Sequence, residues 1–202
     1  MDENNSAVLR GTLVQAPRFS HACKGERFYT FPICVSRSSG TLDILNVIAP
    51  ESLMRRSLIG EGDKLSVAGE LRSYNNKSGV GSKLVITVYA RTLSTDSGED
   101  ENRIFLCGTL CKKPTLRKTP MGREISDLMV AVNRRYGRSD YLPCIAWGSL
   151  AREAACWQVG DHVLLHGRIQ SRDYIKRIGD TEIRKTAYEV SVMELERVAV
   201  SW

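Results

Sequence analysis

Leu9-Arg10-Gly11-Thr12-Leu13, with Pro17 after it, returns as Leu106-Cys107-Gly108-Thr109-Leu110, with Pro114 after it. The spacing is 97 residues, and it persists. Gly25 falls on Gly122, Val35 on Val132, Arg37 on Arg134 and Asp43 on Asp140. Ile48-Ala49 falls on Ile145-Ala146, and Ser52-Leu53 on Ser149-Leu150. After one inserted residue the spacing becomes 98, pairing Gly62-Asp63 with Gly160-Asp161, Gly69 with Gly167 and Ser73 with Ser171. A register held over about 65 residues with a single slip is the mark of an internal repeat.

Working outward, each copy has the same order of elements. A short apolar strand comes first (7–14; 104–111). A glycine turn leads to a second strand (28–36; 125–133) and a tight turn to a third (42–49; 141–147). A short helix fits 50–58 and 149–157, where Leu150, Ala154 and Trp157 recur at helical spacing. The Gly-Asp turns open a fourth strand, and a fifth closes the unit (84–93; 188–195). Three strands, a helix and two strands is the order of the OB-fold. The expected architecture is therefore all-β: two tandem five-stranded OB barrels, each with a short helix between strands 3 and 4. Residues 1–93 form the first domain, 94–101 an acidic linker and 102–202 the second domain. The segments between the fourth and fifth strands read as loops, polar in copy one (75–81) and basic in copy two (174–179).

The formal net charge of +6 is unevenly placed. Residues 1–93 carry 12 Lys/Arg against 8 Asp/Glu, and Asp96, Glu99, Asp100 and Glu101 cancel that excess. Residues 102–202 carry 17 against 11, so the whole net charge belongs to copy two. A basic domain suggests a polyanionic partner. The six cysteines include no Cys-x-x-Cys pair, and the three histidines lack zinc-finger spacing, so no metal or other cofactor is expected. There is no phosphate-binding glycine loop and no nucleophile elbow, so no enzyme is expected. No run approaches the apolar length of a membrane helix, and the first residues, Met1 to Ser6, do not resemble a secretory signal. A cytoplasmic address without membrane partners is the default.

In copy two, Leu106 to Leu110 through Pro114, Gly122, Ala131-Val132-Asn133-Arg134, Trp147-Gly148-Ser149-Leu150-Ala151, Val159 to Val163 and Gly167 to Arg172 span nearly the whole repeat. In these residues copy two resembles the bacterial single-stranded DNA-binding protein family. Copy one matches more weakly, in Leu9–Leu13, Gly62-Asp63 and Gly69–Ser73. The likeness is to the tandem, two-OB type. It implies base stacking at four positions, which fall here on Tyr136, Tyr141, Trp147 and Tyr174. In copy one they fall on Ser39, Ile44, Pro50 and about Asn76, none of them aromatic, with Tyr74 near the last. The likeness also implies a homodimer presenting four OB barrels. Many members end in an acidic tail that recruits other proteins; this chain stops at Arg197 to Trp202 without one, so recruitment by that route is not expected.

The residues make a chemical case on their own. An unpaired strand offers flat bases and a charged backbone, met by aromatic faces and cations. Arg134, Arg135 and Arg138 surround Tyr136; Arg172, Lys176 and Arg177 surround Tyr174; Arg168, Gln170 and Arg172 alternate along one strand face. Packing alternatives stand beside these: Tyr141 as a barrel-filling side chain, Trp147 as the end of the buried run Pro143 to Ala146. Trp157 reads as core. In copy one, Arg18, Lys24, Arg27, Arg37 and Arg72 would extend the path, or that copy would serve assembly. The function expected is sequence-nonspecific single-stranded DNA binding in replication, repair or recombination. The alternatives are a primosomal, replication-restart accessory protein and an OB-fold assembly module. RNA is an alternative partner, because stacking does not read the 2′-hydroxyl.

Overall fold

The computed structural model describes residues 4–76, 83–178 and 181–199, the side chains of 176–178 excepted. Both copies are OB barrels. In copy one, β1 (Asn5–Leu13), β3 (Glu26–Ser36), β4 (Leu42–Pro50), β5 (Lys64–Asn75) and β6 (Leu84–Thr95) close in the order β1-β3-β4-β6-β5-β1. In copy two, β7 (Glu101–Leu110), β9 (Glu124–Asn133), β10 (Ser139–Trp147), β11 (His162–Ile178) and β12 (Thr181–Val198) close in the same way. Alternation fills each interior: in β1, Ala7, Leu9 and Leu13 are buried while their neighbours face outward. Gly69 and Gly167 stand at the bulges of β5 and β11, where a Cβ would overlap the carbonyls of Tyr89 and Ser191 across the ladder.

Several expectations are corrected in detail. Each barrel carries an additional edge strand, β2 (Arg18–Cys23) and β8 (Thr115–Lys118), paired to β3 and β9. Every residue of both is exposed, so neither leaves an apolar period in the sequence. The helices are shorter than 50–58 and 149–157: α1 is Glu51–Met54 and α2 is Gly148–Ala154. Their expected last turns tighten to three-residue spacing, as in Ser57 N–H to Met54 O and Trp157 N–H to Ala154 O. Trp157 still reaches the core.

Of the basic segment expected as a loop at 174–179, residues 174–178 are strand, and Gly179 lies outside the described residues. Through Ile178 the segment continues β11, and β12 begins at Thr181 rather than 188. Tyr174 lies opposite Lys185 and Ile175 opposite Arg184; Asp173 accepts a hydrogen bond from Thr186 (2.8 Å) and pairs with Arg184 (3.0 Å). Such cross-strand pairs let a two-stranded ribbon run beyond the barrel. The polar segment expected at 75–81 of copy one lies largely outside the described residues.

The barrels are joined as related halves. β1 and β7 pair antiparallel, with Ala7 opposite Ile104, Asn5 opposite Leu106 and Leu9 opposite Asn102. Ala7 and Ile104 are equivalent at the 97-residue spacing, so a local two-fold axis passes through that pair and merges both barrels into one 12-stranded sheet. The acidic connection is tied to copy one: Arg10 binds Asp96 (2.9 Å), and Asp100 accepts the Ser36 N–H (2.6 Å) and pairs with Lys64. Hydrogen bonds from the Gly98 N–H and the Arg10 side chain hold the Asp96 carboxyl below its ordinary range.

A second symmetric contact locks the halves. Asp43 has no exposed surface; it takes two bonds from Arg37 (both 2.6 Å) and one from the Ser171 N–H of the other copy (2.7 Å). Its equivalent Asp140, equally buried, takes Arg134 (2.6 Å to Nε), the Ser73 N–H of the other copy (2.5 Å) and Arg72 (3.1 Å). A buried carboxylate is tolerated because every oxygen is occupied by a charge or an N–H. Replacing Asp43 or Asp140 by Ala strands the guanidinium of its own copy and a backbone N–H of the other. Each is expected to lower unfolding stability by about 3–5 kcal/mol, read from the denaturation midpoint in urea at constant slope.

Candidate nucleic-acid interface

On β10, Asp140, Leu142, Cys144 and Ala146 point inward, so Tyr141, Pro143, Ile145 and Trp147 share the outer face. Tyr141 is half exposed (50%) and does not fill the barrel. Trp147 is partly covered, and its indole N–H donates to Ser191 Oγ on β12 (3.1 Å). Ser191 lies opposite Arg168 on β11, so Trp147 and Arg168 flank one hydroxyl on the outer face. Gln170, Arg172 and Tyr174 continue that face along β11, with the Arg172 guanidinium 5.9 Å from the Tyr174 ring centre. Because β10 and β12 run parallel, Tyr141 and Tyr174 lie toward the same end of the sheet, opposite the Trp147 end. Among the described residues, none of the four predicted rings packs on another ring.

Tyr136 tops the β9–β10 hairpin, 98% exposed, closed by the Arg134 N–H to the Arg138 carbonyl (2.6 Å). Its φ is +78°, and Gly137 beside it has φ +72°. A bulky side chain in the left-handed region carries strain, which places a ring in water at a tip the turn does not favour.

The cations divide. Arg134 reaches inward and is engaged with Asp140 and the Ser73 carbonyl (3.3 Å). Arg135 and Arg138 are exposed at the hairpin tip. Arg168 keeps a buried Nε without a hydrogen-bond partner among the described residues. Arg172 stands 3.7 Å from Glu189, which also accepts from Gln170 (3.1 Å). Lys176 and Arg177 are on the ribbon backbone, their side chains outside the described residues. In copy one, Arg37 and Arg72 serve the buried carboxylates.

Sequence reasoning missed a groove beside Trp147. It encloses about 490 Å³ and is lined by Lys118, Arg123, Glu124, Gly148 and Arg152, with Arg152 bound to Glu124 (2.5 Å). Lys118 and Arg123 flank the Thr119–Gly122 turn, closed by the Thr119 N–H to the Arg123 carbonyl (2.8 Å). The only signal for it was a basic residue on each side of a Pro-containing turn.

Three of the thiols are covered enough to disfavour the thiolate. Burial pushes Cys144 far up, and Cys34 and Cys111 are raised chiefly by desolvation. No group of three or more His, Cys, Asp or Glu among the described residues is arranged to hold a metal. No helix among them is long and apolar enough to cross a membrane. Relief of the strained turn gives a test of the Tyr136 geometry. Tyr136→Asn is expected to raise stability by up to about 1 kcal/mol, since Asn visits the left-handed region readily; thermal unfolding of both proteins reads it.

A model of the Single-strand binding protein family matches residues 101–198. Single-stranded DNA-binding protein B of Bacillus subtilis is 36% identical over 80 residues, 36% of this chain and 71% of that protein. Single-stranded DNA-binding protein 2 of Listeria innocua is 36% identical over 93 residues, 41% of this chain. The chain spans 58% of the length of that relative. The wild-type single-stranded DNA binding protein from Thermus aquaticus superimposes with a TM-score of 0.76 at 25% identity, covering 98% of this chain and 94% of that one. The likeness in sequence is concentrated in copy two, while the likeness in structure runs through both barrels. The chain belongs to the single-strand binding protein family.

Proposed function

We propose that this chain is a non-enzymatic, sequence-nonspecific binder of single-stranded DNA, acting in the cytoplasm in replication, repair or recombination. Residues 102–202 form its principal binding domain, with residues 94–101 as the junction to the first. The observation that carries this is the outer face of copy two: Tyr141, Trp147 and Tyr174 face away from the core, Tyr136 stands in water, and Arg168 and Arg172 line the strand beside them. Bases would stack on the rings while the guanidiniums of Arg168, Arg172, Arg135 and Arg138, with Lys176 and Arg177, neutralise phosphates. Family membership supports the same reading. A homodimer presenting four barrels completes the proposal, and sedimentation equilibrium tests it by a mass of twice the 22.6 kDa chain.

Binding is tested by titrating with oligo(dT), oligo(rU) and duplex DNA. Tight binding to oligo(dT) over duplex supports the proposal; equal binding to duplex would reduce it to a generic basic surface. Preference for oligo(rU) would move the partner to RNA. Of the three tryptophans, Trp157 is buried and Trp147 lies on the outer face; emission is expected to be quenched on binding, with the Trp147 share of the quenching lost in Trp147→Ala. Trp147→Ala and Tyr136→Ala are each expected to weaken oligo(dT) binding about 5- to 100-fold, the range of one stacked base, without unfolding the protein. Arg138→Ala is expected to reduce the slope of log affinity against log salt by about 0.7.

A further inference from the structure

In copy one, Pro50 occupies the position of Trp147, and the flat ring is lost there. The ladder shows where flat rings reappear. Trp147 lies opposite Ile125 in copy two, and the equivalent pair in copy one is Pro50 opposite Phe28. Ser191, which holds the Trp147 indole, lies beside Ile145; beside the equivalent Ile48 lies Tyr89. Both strands flanking β4 therefore carry a ring on the outer face where copy two carries an isoleucine and a serine. Phe28 and Tyr89 stand 6.2 Å apart, centre to centre.

The ring row extends outward. His21 on β2 stacks on Phe28 at 4.9 Å with planes 12° apart, and His21 is exposed. Arg91 sits 4.8 Å from the Tyr89 ring centre with about half its side chain exposed, held by Glu70 (3.1 Å). Arg18, opposite Thr30 on the same face as Phe28, has no ion-pair partner among the described residues. Flat rings in a row with guanidiniums at the flanks are what an unpaired strand needs, and edge strands lend their faces to the barrel's outer surface. The cluster lies outside the core, with His21 exposed and Phe28 and Tyr89 half-buried, so the row is open to solvent along its edge.

We propose that copy one holds a second segment of the same single strand on the row His21, Phe28 and Tyr89, with Arg91 and Arg18 toward its phosphates. The stacking set of this copy is displaced by one strand to each side of the family positions, not absent. The proposal rests on the reading of copy two as a single-strand binder and extends its path across both barrels.

The experiment uses the full chain and two oligo(dT) lengths, about 10 nucleotides, which one barrel can hold, and about 35, which exceeds one barrel. The variant is His21→Ala with Tyr89→Ser, the latter being the residue copy two carries at that place. The expected result is unchanged affinity for the short strand and a 5- to 50-fold loss for the long one, with fewer nucleotides occluded per chain. Equal affinity of variant and wild type for both lengths would overturn the proposal. Ultraviolet crosslinking of the long strand to the unaltered protein gives a readout independent of the variant's folding. Crosslinked peptides containing Phe28 or Tyr89 support the second segment; crosslinks confined to residues 102–202 overturn it. Failure of the unaltered protein to bind even the short strand would instead remove the reading of copy two, and this extension with it.

Discussion

Two carboxylates in the interior, Asp43 and Asp140, fix how the barrels meet. Each receives a guanidinium from its own copy and a backbone N–H from the other, so neither barrel satisfies its own buried charge alone. Together with the β1–β7 ladder they impose a local two-fold arrangement. The ribbon of each copy is thereby drawn over the third strand of the other: Ser73 accepts the Tyr141 N–H at its Oγ (2.8 Å), and Asn46 donates to the Tyr188 hydroxyl (3.2 Å). Burial raises that tyrosine's pKa. The outer faces on either side are then held in a set relation, which a path crossing from one to the other requires.

Alternation does the rest. Within β10 the same two-residue period that sends Leu142 and Cys144 into the core sends Tyr141 and Trp147 out. In copy one the period sends Ile44 and Pro50 out, and the flat rings move to the neighbouring strands. The two copies keep one fold while their outer faces differ, because the core face and the outer face answer to separate constraints.

Much of the fold was legible because the repeat marks its own structure: recurring glycines gave the turns, and recurring apolar runs gave the strands. Edge strands such as Arg18–Cys23 were not, since an exposed strand has no apolar period. The ribbon at 174–178 reads as a loop because its residues are charged and its stability comes from partners opposite, which a linear pattern does not show. In the site, the even spacing of Tyr141 and Trp147 puts both on one face, but the linear pattern left packing and binding roles open; burial of Leu142 and Cys144 on the opposite face decides that theirs is the outer one. The role of Arg134 was not legible: Arg37/Asp43 and Arg134/Asp140 recur visibly, but the third partner of each carboxylate comes from the other copy. Phe28 and Tyr89 were passed over because they sit off the aligned positions, and only the ladder register brings them together.

The central claim is that unpaired bases lie on the outer face of β10 and β11. Backbone amide shifts in a nuclear magnetic resonance titration with oligo(dT) test it most directly. The account predicts the largest shifts at Tyr136, Tyr141, Trp147, Arg168 and Tyr174, with the core strand β7 little changed. Large shifts confined to surfaces away from these residues, with the rings unmoved, would contradict it.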